Sequence, residues 1–255
     1  FWSPAGDAVA FAAGGSIFKV SVVSGRPEEL ARFSGGDFTG GSWSATEGIV
    51  FSISRANWDG DVLRIPEEGG EPEVFTEADS ARGERRLFNP HFLPDGRSLL
   101  FSAITFDANQ GDIAVHRDGA RTILGIGDGM VMPAWSPTGH LIYGHKSGSD
   151  IALWAVPFSL DTLEETGQAV RIASSGARPS VASDGTLLYG LHRPAPHQLV
   201  WVDRRGNLLG SIGDPMPDQM WDPFVSPDGR RVGATLNWEY IAVWDTERGV
   251  VTRVT

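Results

Sequence analysis

Three stretches of this sequence place polar groups at spacings that could do chemistry. Gly125-Ile126-Gly127-Asp128-Gly129 is a glycine cluster of the general kind that cradles phosphate. It lacks the third Gly at the required spacing and opens no helix, so it reads as a connecting loop. His192 and His197 flank Arg193-Pro194-Ala195-Pro196. A zinc enzyme sets two His four apart on one helix face, whereas a segment with two prolines is a loop. Asp107-Ala108-Asn109-Gln110-Gly111-Asp112 offers oxygen ligands at alternate positions. Its Gly comes one place too early for a calcium loop and no Glu follows at the twelfth position, so a polar hairpin loop is expected.

The other routes to catalysis close as well. The chain has no Gly-x-Ser-x-Gly elbow and no Gly-x-x-x-x-Gly-Lys-Ser/Thr run. It has no Cys, hence no thiol nucleophile, disulfide or Cys-based zinc site. His91, His116, His140 and His145 are scattered, and Glu28-Glu29 and Glu67-Glu68 read as solvated faces. The sequence therefore predicts no catalytic, cofactor-binding or metal-binding residue, and a chain that is not itself an enzyme.

Binding is the remaining chemistry, and it depends on which elements carry it. Net charge is −11, with no basic stripe longer than Arg82-Gly83-Glu84-Arg85-Arg86 or Arg204-Arg205. That argues against nucleic acid as a partner. No apolar run reaches the ~18 residues of a membrane span, so no membrane contact is expected from this segment itself. No signal peptide is visible. The chain opens on Phe1-Trp2-Ser3-Pro4 without an initiator Met, which reads as a piece of a longer protein.

The elements repeat. Anchors at Trp2, Trp43, Phe92, Trp135, Val181 and Val225 recur about every 45 residues, a period that marks a propeller or solenoid array. Each anchor precedes a turn: Ser3-Pro4-Ala5-Gly6, Ser44-Ala45-Thr46-Glu47-Gly48, Leu93-Pro94-Asp95-Gly96, Ser136-Pro137-Thr138-Gly139, Ala182-Ser183-Asp184-Gly185 and Ser226-Pro227-Asp228-Gly229. Pro at the second place, Asp at the third and Gly at the fourth suit a type I turn. Ala5 and Thr138 occupy the Asp position in sister copies, so Asp228 reads as a turn former rather than a catalytic group. An apolar strand, a variable loop, a third strand, a Gly turn and a more polar fourth strand complete each unit. No window sustains a helical period. Four strands per unit and no helices give an all-β array whose sheets pack side by side around an axis. The anchors are expected to wedge between neighbouring sheets, so that Trp135→Ala costs on the order of 3–5 kcal/mol.

Trp2-Ser3-Pro4-Ala5-Gly6 and Val225-Ser226-Pro227-Asp228-Gly229 resemble the Trp-Ser-Pro-Asp-Gly turn of TolB-type, WD-repeat-like propellers. The closing run Trp244–Thr255 resembles that family's end-of-blade sequence. A narrower likeness lies in Ala81–Arg85 followed by Pro90–Arg97, in Gly40–Trp43 and in Leu199–Gly206. These look like the propeller that follows the kinase domain in bacterial serine/threonine kinases of the eukaryotic type. The first resemblance implies an all-β propeller, here six four-stranded blades over about 1–37, 38–78, 87–127, 130–175, 176–215 and 220–255, or part of a larger one.

Three functions follow from the resemblances. The first is a sensing or binding module of a receptor-like kinase on the extracytoplasmic side of a bacterial membrane, with a cytoplasmic placement left open. The second is a periplasmic interaction propeller of the TolB kind, and the third is the propeller preceding a prolyl-oligopeptidase-like hydrolase domain. The expected partner is a protein or small ligand on the loop face, with no cofactor. The loops thought to reach it are Thr76–Asn89, Gly213–Asp222, Ser54–Gly60, Thr105–Gly111 and His192–His197. The residues singled out on them are Arg82, Glu84, Arg85, Met216, Asp218, Met220 and Trp221.

Overall fold

In the computed structural model the chain is strand and turn, with no α-helix among the described residues. Those are all but 107–110, 127–131, 148–149, 191–195, 227, 238 and 255; at 146, 147, 150, 221 and 222 only the backbone is described. The glycine cluster from 127 onward, the 107–110 stretch, His192 and Pro227 thus lie outside the described residues. Two compact units result, Phe1–His192 and Arg193–Thr255.

The first unit is a run of antiparallel meanders. One sheet holds β1 (Ala8–Ala13), β2 (Ser16–Ser21) and β3 (Pro27–Arg32). The next holds β4 (Asp37–Ser44), β5 (Gly48–Ser54), β6 (Val62–Ile65) and β7 (Glu73–Thr76). The third holds β8 (Glu84–Phe92), β9 (Leu99–Thr105), β10 (Gly111–Arg117) and β11 (Ala120–Ile123). The fourth holds β12 (Ala134–Ser136), β13 (His140–Ser147), β14 (Asp150–Ser159), the short β15 (Glu164–Glu165) and β16 (Val170–Ala173). The ladder β17 (Ala177–Val181) with β18 (Leu187–Gly190) ends the unit. The second unit pairs β19 (His197–Val202) with β20 (Leu208–Met216). It closes with a sheet of β21 (Met220–Val225), β22 (Arg231–Leu236), β23 (Tyr240–Asp245) and β24 (Val251–Arg253).

The turns form as their residues require. In five copies the Gly N–H donates to the carbonyl three residues back: Gly6 to Ser3, Gly96 to Leu93, Gly139 to Ser136, Gly185 to Ala182 and Gly229 to Ser226. Each of these glycines has positive φ, the region L side chains avoid. The third-place Asp closes the turn. Asp95 accepts from the N–H groups of Arg97 and Ser98, Asp184 from that of Thr186, and Asp228 from that of Arg230 and from the Ser226 hydroxyl.

Strand alternation then places the core between sheets rather than on one face. Side chains two apart share a face. In β5, Ile49, Phe51 and Ile53 pack with Ala8, Ala10 and Ile17 of the first sheet, while Val50 packs with Phe92, Leu99 and Phe101 of the third. Leu100 and Ile113 face Leu141, Tyr143 and Val156 of the fourth sheet. Ile142 and Leu153 face Val181, Leu187 and Tyr189. Each internal anchor thus seats against the sheet before it: Trp43 and Phe92 are buried, and Trp135 and Val181 are half-buried.

The wedge expectation does not extend to the two outer anchors. Trp2 is 59% exposed because it pairs with Val9, on the face opposite Phe1 and the first core. Val225 is 51% exposed, and the buried cluster of its own unit does not include it.

Candidate functional site

The loop joining β5 to β6 gathers the most unusual local chemistry. Its residues are Arg55-Ala56-Asn57-Trp58-Asp59-Gly60-Asp61. The Trp58 N–H donates to the Arg55 carbonyl at 2.8 Å, and the Arg55 N–H to the Asp59 carbonyl at 2.8 Å, closing a tight turn. The turn forces Trp58 to φ 67°, a left-handed conformation that is a true outlier for so bulky a residue. Trp58 is nevertheless 64% exposed.

The neighbouring strand β8 fixes this loop. The Gly60 N–H donates to the Arg85 carbonyl and the Gly60 carbonyl accepts from Leu87, a short parallel bridge between consecutive sheets. Gly is required because a Cβ at position 60 would lie 2.1 Å from the Ile53 carbonyl oxygen. Two arginines on β8 then clamp the loop. Arg85 donates through Nε to Asp59 Oδ1 at 3.0 Å and through Nη2 to the Asn57 carbonyl, and its guanidinium lies 5.7 Å from the Phe106 ring. Arg86 donates to Ser54 Oγ at 3.2 Å and lies 5.3 Å from both the Trp58 and Phe88 rings. Burial, and then the like charge of Arg85, push the Arg86 pKa down. Phe106 is 65% exposed, so two large rings and two guanidiniums share one patch.

The other singled-out residues have structural jobs. Arg82 ends the 3₁₀ turn Ser80–Arg82 and pairs with Asp79 at 3.2 Å. Glu84 and Arg85 lie in strand β8, not in a loop as expected. The reason is Glu84 itself: it is only 5% exposed, takes the Arg121 guanidinium and the Asp79 N–H on one oxygen, and so pins the strand start. Arg121 also reaches Thr76 Oγ1 and the Glu77 carbonyl. Beside this pair a cleft of about 470 Å³ is lined by Arg82, His116 and Arg121. Burial, and then the charge of Arg121, lower the His116 pKa.

The expected loop Gly213–Asp222 is mostly strand, since β20 runs to Met216 and β21 starts at Met220. Met216 and Met220 pack against the buried cluster of their unit, which extends both strands. Asp218 accepts from Asn237 Nδ2 at 2.6 Å and Tyr240 Oη at 3.3 Å. The Trp221 side chain lies outside the described residues. Of the seven, only Arg85 joins the Trp58 patch. Sequence reasoning passed over Trp58, Arg86 and Phe106; the one signal was a large aromatic inside an otherwise polar Asn-x-Asp-Gly turn.

No protein-family model matches the chain, and no curated protein sequence matches it. Solved structures do. TolB from Acinetobacter baumannii is 16% identical with a TM-score of 0.57, over 96% of this chain and 62% of TolB. A luciferin-regenerating enzyme is 14% identical with a TM-score of 0.55, over 92% of this chain and 81% of the enzyme. Regucalcin from Agrobacterium tumefaciens, described as a calcium-binding protein, is 17% identical with a TM-score of 0.55, over 92% and 79%. The chain therefore has a β-propeller fold similar to that of TolB, and it spans 62% of that protein's length. One of these neighbours corrects the expectation that the chain is not an enzyme. The luciferin-regenerating enzyme has the same fold, so the scaffold is no argument against catalysis, which depends on a few side chains placed on it. No helix among the described residues is long and apolar enough to cross a membrane.

Proposed function

We propose that this propeller is a binding module of a larger bacterial protein, and that its loop face around Trp58, Phe106, Arg85 and Arg86 docks a protein partner. One observation carries the reading: Trp58 is held in a left-handed backbone and the residue is 64% exposed. A left-handed residue costs roughly 1–2 kcal/mol, and an exposed ring recovers little of that by burial. Strain kept without a folding gain points to function. Trp and Arg are also the side chains that dominate binding hot spots.

The parent protein is a receptor-like serine/threonine kinase, with the propeller outside the cytoplasm; a TolB-like interaction propeller is equally consistent with the fold. The likenesses in Ala81–Arg85 and Pro90–Arg97, in Gly40–Trp43 and in Leu199–Gly206 support the kinase parent. A full-length reading frame with a kinase domain and a membrane span upstream is the expected result, and a reading frame without a kinase domain removes that parent.

Crosslinking tests the docking face. A photo-crosslinking residue at position 58 should give one discrete adduct in the cells that make the protein. The same residue at position 68, in the turn at the other end of this sheet, should give none. Equal labelling at both positions, or none at 58, contradicts the assignment.

A further inference from the structure

The cleft beside the Glu84–Arg121 pair is lined by a histidine, His116. It stands directly opposite Arg121 across the β10–β11 ladder, and its ring packs edge-on against Phe75 with centroids 5.0 Å apart. Its Nδ1 is buried without a hydrogen-bond partner. A neutral imidazole tolerates this, because its proton sits on Nε2 and leaves Nδ1 bare. An imidazolium carries N–H on both nitrogens, so charging the ring in place buries a donor with no acceptor. It also sets two positive side chains directly opposite each other, which an antiparallel pair disfavours. The neighbouring charges do not undo this. Asp118, in the turn after β10, and Glu47, between β4 and β5, favour the proton, but Glu47 is already held by Arg64 at 3.0 Å. Glu77 lines the cleft together with Asp79 and Arg82, which pair with each other at 3.2 Å, and Glu84 is taken up by Arg121. Burial, and then Arg121, outweigh the acids and lower the His116 pKa.

Arg121 is the group that a displaced ring disturbs. Its guanidinium holds Thr76 Oγ1, the Glu77 carbonyl and Glu84. Two short links run from there to the Trp58 loop. The Ala78 N–H donates to Asp61 Oδ1 at 3.0 Å, and Asp61 holds Arg55. Glu84 opens β8, and the next residue, Arg85, donates to Asp59 and the Asn57 carbonyl while its own carbonyl accepts the Gly60 N–H.

Resting on the docking role above, we propose that His116 is a proton switch for this loop. The neutral ring leaves Arg121 in place and the docking face formed; a proton on His116 displaces the ring, loosens Arg121 and releases the loop around Trp58.

Nuclear magnetic resonance of the isotope-labelled 255-residue chain reads the switch without a partner. As pH falls, the Trp58 indole N–H and the Gly60 amide should shift with the same midpoint as the His116 ring, below its ordinary value of 6.5. His116→Gln and His116→Phe take up no proton and should abolish that shift, and thermal unfolding at neutral pH checks that each is folded. Photo-crosslinking at position 58 is then repeated in cell lysate held about one pH unit below the His116 midpoint. The yield should fall about five-fold or more from its neutral value in the parent, and stay level in His116→Gln. Trp58 and Gly60 signals that ignore the His116 titration, a shift that survives in both variants, or crosslinking undiminished in acid overturn the proposal. If the signals titrate with His116 but position 58 gives no adduct at any pH, the switch in the loop stands and the docking role fails.

Discussion

At the scale of single residues, the clearest division is between side chains that hold the fold and side chains it displays. Glu84 and Arg121 belong to the first group. Their ion pair is almost fully buried and carries the Asp79 N–H, Thr76 and the Glu77 carbonyl with it. Removing one partner leaves an uncompensated buried charge, so Arg121→Met should cost about 3–5 kcal/mol in urea unfolding. A loss below about 1 kcal/mol would show that the pair is peripheral. Asp95 also belongs to the first group. Burial pushes its pKa up, but hydrogen bonds from the Ser98 hydroxyl and N–H, the Arg97 N–H and Arg117 outweigh that and hold it at about 2. The folded value is depressed, so the stability it contributes is present above the unfolded value near 3.8. It is lost as pH falls from about 4 toward 2. With solvent screening this amounts to roughly 1–2 kcal/mol. Stability of Asp95→Asn should be that much lower at pH 6 and should converge with the parent near pH 2; a constant difference at both pH values would exclude the linkage.

At the scale of elements, each later sheet of the first unit is stabilised by the one before it, and the anchors report this. Trp43 is buried in the core shared by the first two sheets, whereas Trp2 is exposed. Trp43→Ala should therefore cost about 3–5 kcal/mol, and Trp2→Ala less than about 1 kcal/mol, by chemical denaturation. Equal losses would mean that burial in this core does not set the anchor's contribution. Strands are legible in the sequence: alternation and turn residues place them at Glu73–Thr76, Arg231–Leu236 and Tyr240–Asp245, and β7, β22 and β23 have those bounds. Local rules suffice there, because a type I turn and period-two burial are decided within a few residues. Local rules fail where partners are distant. Glu84 looked like a loop residue because Arg121, which buries it, lies in another strand. Trp58 lies on a loop the sequence already assigns to the partner, but nothing local singles it out, because the arginine that supports it and Phe106 come from the following repeat. The Met216–Met220 segment read as an adaptable binding loop because its apolar residues serve the core of their own unit.

At the scale of the whole molecule, the repeats build two compact units, and the proposed docking role rests on a few exposed positions of the first. That division makes stability and binding separable in one side chain. Trp58 adds little to the core yet holds a strained turn. Replacing it with Gly removes about 1–2 kcal/mol of left-handed strain and forfeits about 0.5–1 kcal/mol of contact with Arg86. It also gives the unfolded chain more freedom, worth about 0.4–1 kcal/mol in the opposite direction. The net change in folding is near zero, while the partner loses its main ring contact. The decisive measurement is the unfolding free energy and the partner affinity of the same Trp58→Gly protein, using the molecule crosslinked at position 58. Affinity reduced at least ten-fold, with stability within about 1 kcal/mol of the parent, is the expected result. A variant that unfolds easily yet binds as before would contradict a docking role for Trp58.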